Sequence, residues 1–570
     1  MTELTDILRT SLLDALRVVL GIAFCFSLLA VLLPRLTTKV FHAVESFLSR
    51  LAARKTLTVI ILFLVVIGLR LAVLSELPVP VPGIHDEFSY LLMADTFAHG
   101  WLANPPHPMW VSFETFHVNF FPTYSSMFPP AQGFVLALGQ LLGHPWIGVL
   151  LSAAAMCAAI LWMLQAWLPA RWAFLGAALV ALKFGIASYW INSYWGGALA
   201  ATGGALALGA MPRIVRRART RDALLLGLGI ALLANSRPYE GFLFCIPVAG
   251  WFLWWLAGKT KSPVASRTRI VRIFVPLAVA MTLTIGFIAY YNWRLTGNAF
   301  LMPHTLNTRT YHTTPLFLWE HAKPPLHYRN PQFEDFYNGW ARENYANSWQ
   351  DVARVSLEKL TRIGSTYFWW GALLLLPAAP FVFFDRKTRL PLVILLLGMA
   401  GVFAVVWSMP HYAAPLTCVV FLFLVQTIRH LRTFRLRGRP LGLAFSWAIV
   451  CLLATDIAFS VGRHICDPLE WACQGDPSRA AIEKKLSRTP GKHLIMVRYE
   501  EDHNLHDEWV YNGAEIDSAK VLWARELEPA QNEKLFAYFK DRQIWLVTPD
   551  SDNTYLERYE PPGTQASPDQ

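Results

Sequence analysis

The chain has 570 residues, of which 54% are hydrophobic and only 16% charged, and its mean hydropathy is +0.36. That composition excludes an ordinary soluble domain and describes a polytopic membrane protein. The formal net charge of +11 would suit nucleic acid, but Lys and Arg sit in short clusters between apolar runs, at 35–55, 213–221, 259–272, 386–389 and 429–439. Positive-inside topology produces that distribution, so nucleic acid is not expected as a partner.

In chain order, residues 11–34 form a first apolar run, a span candidate with Arg17 near its start, and 35–56 are basic and amphipathic. A second span over about 57–77 leads to a Pro-rich hinge (Pro78, Pro80, Pro82). There follows the stretch I-H-D-E-F-S-Y, in which His85, Asp86 and Glu87 open an amphipathic helix. No Lys or Arg occurs between Arg70 and Arg171, whereas Asp86, Glu87, Asp95 and Glu114 all fall there. A long polar segment without basic residues belongs outside the cytoplasm, which places the loop 78–132 on the outer face.

Further spans are predicted at about 146–168, 172–191, 195–212, 222–236, 239–257 and 270–291. A second long outer loop follows at 292–364, then spans at 365–384, 389–408, 411–428 and 441–461, about twelve in all. The turns 192–197 and 235–241 and the turn at Met409 to Tyr412 face outward with Asp86. Gly196, Gly197, Gly203 and Gly204 permit close helix approach. The sequence thus divides into a transmembrane part, 1–461, and a soluble external part, 462–570, with strands near Leu494–Arg498, Val521–Ala524 and Ile544–Val547. A helix over Glu528–Lys540 makes the second part a small α/β domain with a disordered end. Cys466 and Cys473 flank a short polar loop in this external region and are expected to form a disulfide.

Three outward turns therefore bring together Asp86 and Glu87, Arg237 and Glu240, and His411 and Tyr412. A carboxylate can take a proton from a hydroxyl while cations neutralise a phosphate leaving group, and the planar fork of Arg suits phosphate. Phosphate at a membrane rim implies a lipid phosphate. Each group has a plainer use: the acidic pair as a helix cap, Arg237 as a partner of Glu240, His411 as an interfacial anchor. Glu114 and His117, three residues apart, share a face if helical and with Asp86 leave room for a divalent cation, Mg or Mn, although acceptor binding or structure suits them better. His85, Tyr124 and Trp195 complete the candidates for binding the acceptor.

The strings G-I-H-D-E-F-S-Y, F-P-P-A-Q-G, N-S-Y-W-G-G-A and N-S-R-P-Y-E-G, over about residues 57–430, resemble the GT-C glycosyltransferases. The likeness is to the group of protein O-mannosyltransferases, aminoarabinose transferases and RgtA/B/C/D-like proteins. The resemblance implies an integral protein of a bacterial inner membrane with its active site on the periplasmic face, and the parity of the spans puts the C-terminal domain on the same face. It implies transfer of a hexosyl or pentosyl group from a polyprenyl-phosphate donor to a hydroxyl of a glycan, lipid or protein. Asp86 matches the catalytic acidic position, with Glu87 beside it, and Arg237 matches a phosphate contact. Relatives often carry Arg-Tyr where this chain has His411-Tyr412, and histidine is only partly charged near neutral pH. The rival from another class is a transporter or flippase for a lipid-linked sugar, which would place ionisable groups near the bilayer midplane. A third reading, a non-catalytic assembly protein, leaves the Asp86-Glu87 pair without a use.

Overall fold

The structure is a computed structural model that describes Gly21, Cys25, Leu28 and residues 34–258, 265–345, 349–383, 385, 388–439, 441–464, 471, 475–550 and 556–560. The expected span over 11–34 and the expected Cys466–Cys473 disulfide lie outside the described residues. Where the sequence is apolar, the chain is helical, because a backbone in lipid must satisfy its own N–H and C=O groups.

Among the described residues seven helices are long and apolar enough to cross a membrane: Lys55–Ala72, Pro145–Trp167, Ala198–Arg217, Pro238–Leu256, Ser266–Thr296, Pro410–Leu431 and Leu441–Gly462. An eighth candidate is a bent pair, Val352–Tyr367 with Gly371–Phe383, whose halves meet at 105° where the sequence predicts one straight span over 365–384. Three further predicted spans are shorter helices, and the turns that follow them reach the Asp86 end. Helices Ala170–Phe184, Thr220–Ser236 and Arg389–Ala404 have 15, 17 and 16 residues. At about 1.5 Å per residue they reach roughly 22–26 Å, short of a hydrocarbon core about 30 Å thick.

Helix Pro145–Trp167 is the centre of the bundle, packed by Lys55–Ala72, Pro130–Leu141, Ala170–Phe184 and Ala198–Arg217. Helices Ala198–Arg217 and Thr220–Ser236 lie backbone to backbone. A Cβ on Gly203 would stand 2.9 Å from the Gly229 carbonyl oxygen, and one on Gly229 would stand 2.7 Å from that of Gly203. Small residues thus let the helices touch where lipid supplies no hydrophobic drive between them.

Two short strands, β1 (Val118–Asn119) and β2 (Ser125–Ser126), pair antiparallel within the first outer loop. The C-terminal part forms a four-stranded sheet from β3 (Lys492–Val497), β4 (Val521–Arg525), β5 (Arg542–Val547) and β6 (Leu556–Arg558), in the order β4-β3-β5-β6. The first three strands are parallel and β6 is antiparallel, with helix Pro529–Tyr538 between β4 and β5. The apolar run of β3 is buried, as a central parallel strand requires.

The sheet does not stand apart. Leu494, Met496, Leu522 and Phe539 share one core with Phe88, Leu92, Phe113 and Phe120 of the first outer loop. Phe88 stacks on Tyr511 with ring centroids 4.4 Å apart, and Arg479 lies over the other ring region of Phe88 at 4.7 Å. The second outer loop adds its own cluster, in which Tyr311, Phe333, Phe336 and Tyr337 pack on Phe116. Three segments far apart in sequence therefore roof the same end of the bundle.

Candidate active site

Helix His85–Ala98 begins where the proline hinge ends, with Ile84 extended at the cap position. Glu87 reaches back over the helix start: Oε2 accepts from the backbone N–H of Gly83 at 3.0 Å and of Ile84 at 3.2 Å, satisfying donors that a helix start leaves free. Its other oxygen accepts from the Tyr194 N–H at 2.9 Å. Glu87 is 1% exposed, and burial lifts its carboxyl to about 7 against the pull of those three donors. The carboxylate is thus engaged by backbone and shut away from substrate. The sequence names it beside Asp86 as catalytic; its contacts make it a brace between the helix start and the turn 192–197.

Asp86 precedes Glu87 by one residue and so points about 100° away around the helix. Its side chain is 20% exposed, and Oδ1 lies 2.7 Å from Nδ1 of His117, a close contact outside hydrogen-bond alignment. His117 has a left-handed backbone, φ 59°. Its carbonyl accepts from Ser89 Oγ at 2.7 Å and from the Met127 N–H at 3.1 Å. The turn that carries it is thereby fastened to the Asp86 helix.

Arg237 occupies the junction of helices Thr220–Ser236 and Pro238–Leu256, where Pro238 ends the first and starts the second. Its guanidinium lies 4.1 Å from the centre of the Tyr412 ring, and Glu240 is buried in the first turn that follows. Burial lowers His304 to about 4, with His117 and Arg237 pushing in the same direction and Asp86 opposing. Residues 86, 117, 237 and 304 thus share one electrostatic neighbourhood although they come from four segments. Burial also keeps His85 and His312 well below the usual imidazole range. The shell around Asp86 is therefore largely neutral imidazole at pH 7, and Arg237 brings the group a fixed positive charge.

Several residues that the sequence nominates stand behind the site. His411 is 1% exposed. Its Nδ1 lies 3.1 Å from the Tyr189 hydroxyl and its ring packs on Trp195 at 4.9 Å. Its other ring nitrogen, Nε2, is buried without a hydrogen-bond partner. Trp195, also buried, offers no open face for a sugar. Tyr124 is buried and its hydroxyl donates to the Asn512 carbonyl at 3.1 Å, tying the first loop to the C-terminal domain. His85 stacks flat on Phe116 at 4.4 Å. Glu114 is buried and accepts from the Tyr311 hydroxyl at 3.0 Å, and burial raises its carboxyl.

The separation of Glu114 from Asp86 and His117 breaks up the trio that a divalent cation would use. Among the described residues no three His, Cys, Asp or Glu gather as a metal-binding group.

Four contributors carry no local signal in the sequence. Arg70, fully buried, donates from Nε to Asn192 Oδ1 at 3.0 Å and from Nη2 to the Pro78 carbonyl at 3.0 Å, locking the hinge to the turn 192–197. His304 and His312 sit in the second outer loop among other polar residues. His506 comes from the C-terminal domain and its ring meets Trp340 at 4.6 Å and His85 at 6.3 Å. A lone basic residue at a helix end and isolated histidines in long loops gain meaning only when distant segments fold over them.

No family model matches the chain, and no curated protein matches it. It is similar to the structure of ArnT from Cupriavidus metallidurans bound to undecaprenyl phosphate, at 11% identity and a TM-score of 0.48, over 86% of this chain and 92% of that one. It is also similar to the oligosaccharyltransferase AglB of Archaeoglobus fulgidus in complex with an inhibitory peptide and a dolichol-phosphate, at 10% identity and a TM-score of 0.43, over 87% and 69% of the two chains. The oligosaccharyltransferase of Archaeoglobus fulgidus tethered with an acceptor peptide matches at 11% identity and a TM-score of 0.44, over 86% and 68%. TM-scores below 0.5 set no residue-by-residue correspondence, so the roles of the side chains rest on the geometry of this chain.

Proposed function

We propose that the protein is an integral membrane glycosyltransferase that moves a sugar from a polyprenyl-phosphate donor to an acceptor hydroxyl on the outer face. The carrying observation is the contrast within one helical turn: Asp86 faces His117 and solvent, whereas Glu87 is filled by backbone donors. Asp86 takes the proton of the acceptor hydroxyl. The freed oxygen attacks the anomeric carbon, the bond from that carbon to the phosphate oxygen breaks, and polyprenyl phosphate leaves with the electron pair. The sugar is inverted at that carbon.

Arg237, held against Tyr412, receives the negative charge that grows on the phosphate. His117 is a positioning residue that keeps the Asp86 carboxylate turned toward the acceptor. The roof made by the two outer loops and the C-terminal domain keeps bulk water from competing with the acceptor.

The test supplies purified protein in lipid nanodiscs with a panel of polyprenyl-phosphate sugars and an envelope extract as acceptor source. Acceptor-dependent release of polyprenyl phosphate from one donor supports the reading and names the sugar. Movement of intact lipid-linked sugar across the bilayer, with no release, would overturn it in favour of a flippase.

A further inference from the structure

A second cavity lies at the far end of the bundle. Helix Pro410–Leu431 runs from the His411 turn at the Asp86 end to Arg429 and Arg432. The Lys55 end of helix Lys55–Ala72 is fixed beside them, where the Lys55 carbonyl accepts from Gln165 at 3.1 Å. Where helices Pro145–Trp167, Ala170–Phe184, Pro410–Leu431 and Leu441–Gly462 come together, a cavity of about 910 Å³ opens, lined by Arg171, Arg429, Arg432 and Arg435 together with Trp167, Trp172, Leu422 and Leu443.

The arrangement of charge here is costly unless something compensates it. Arg171, Arg429 and Arg432 converge on the single buried ring of Trp172, with guanidinium carbons 5.7, 5.8 and 5.9 Å from its centre. The ring face attracts each cation, but three like charges around one ring repel one another. Arg432 is paired with Glu45 at 2.6 Å, and Arg429 donates to the neutral amide of Gln426 at 2.5 Å. Asp385 is the acidic residue in the lining, so the four arginines still exceed Glu45 and Asp385 by two charges. His42 and His430 add further donors at the same wall.

We propose that this cavity binds the phosphate headgroup of an anionic membrane lipid from the leaflet opposite the Asp86 site. The forked guanidinium groups suit phosphate oxygens. Basic pockets between membrane helices take such headgroups, and Leu422, Leu443, Trp167 and Trp172 provide the apolar wall that an acyl chain needs. The volume far exceeds what a bare phosphate would fill. The proposal is independent of the sugar-transfer reading, because it concerns the other end of the bundle.

The test is native mass spectrometry of the full chain in mild detergent, supplied with phosphatidylglycerol or with phosphatidylcholine of the same chain length. Thermal unfolding in nanodiscs of each composition accompanies it. Wild type is expected to retain phosphatidylglycerol selectively and to unfold at a higher temperature with it. Arg171→Gln combined with Arg435→Gln, two exposed positions, is expected to cut retention about fivefold or more. Arg267→Gln combined with Arg272→Gln, exposed cations away from the cavity, is expected to leave retention unchanged. Equal retention of the two lipids by wild type, or equal losses in the two double variants, would overturn the proposal. Stabilisation by inorganic phosphate alone that matches the effect of phosphatidylglycerol would overturn the lipid source and leave a soluble anion as the occupant.

Discussion

At one end of the bundle Asp86, His117, His304 and Arg237 meet beneath two long loops and a small α/β domain. At the other end four arginines line an open cavity. Both ends join polar side chains from distant helices, yet they handle charge differently. At the Asp86 end burial works against charge: His304 is lowered to about 4, and Glu87 is raised to about 7. The opposite end concentrates an excess of cations near the surface, where a bilayer anion can reach them. Buried surroundings around one part-exposed carboxylate suit proton transfer, and an excess of like charge suits binding.

Breaking the Asp86 end should have the largest effects. Asp86→Asn removes the base while keeping shape, and sugar transfer is expected to fall by about 10²–10⁴-fold, with an unchanged unfolding temperature; steady-state transfer in nanodiscs measures both arms. Arg237→Lys keeps charge but loses the planar fork. Donor affinity is expected to weaken by roughly tenfold, equivalent to about 1.4 kcal/mol, read as a rise in KM for the donor with a smaller change in kcat.

Glu87→Gln probes the brace. It replaces an acceptor of three N–H groups with an amide that has one oxygen, and leaving buried donors unpaired costs about 1–3 kcal/mol. It should also change how stability depends on pH. The folded protein holds the Glu87 proton up to about 7, whereas the unfolded chain releases it near the ordinary carboxylate value of 4.5. The folded state therefore binds more protons within that window, and the contribution of Glu87 to stability is full below 4.5 and declines as pH rises toward 7. Unfolding temperature measured across that range should show a decline in wild type that Glu87→Gln flattens; an identical slope in both proteins would remove Glu87 as its source. The smallest effect belongs to Tyr124→Phe. Loss of its bond to Asn512 should cost about 0.5–1.5 kcal/mol of stability and leave transfer unchanged, since the hydroxyl faces the C-terminal domain.

The outline of this comparison is legible in the sequence. Asp86 stands out because acidic residues lie in a hundred-residue stretch without Lys or Arg, and Arg237 because a polar turn interrupts two apolar runs. The strands of the C-terminal domain follow from short apolar runs with turns between them, and all three appear within two residues of their expected places. The division of labour between Asp86 and Glu87 is not legible, because it depends on the Tyr194 N–H, 107 residues away. Nor is the burial of His411, whose turn looks external until Tyr189 and Trp195 of another turn close over it. The sequence assigns strands to the tail but no partner for them, and the shared core with Phe88 and Phe113 arises only from tertiary packing. The gathering of arginines on Trp172 is hidden for the same reason, since each one read alone is an ordinary topology signal.

The most direct test sets the two neighbouring carboxylates against each other: acceptor-dependent release of polyprenyl phosphate by Asp86→Asn and by Glu87→Gln, each normalised to folded protein in the same nanodiscs. The account predicts a folded, inactive Asp86→Asn and a less stable Glu87→Gln whose folded fraction still transfers sugar. A folded Asp86→Asn that transfers at the wild-type rate would contradict it.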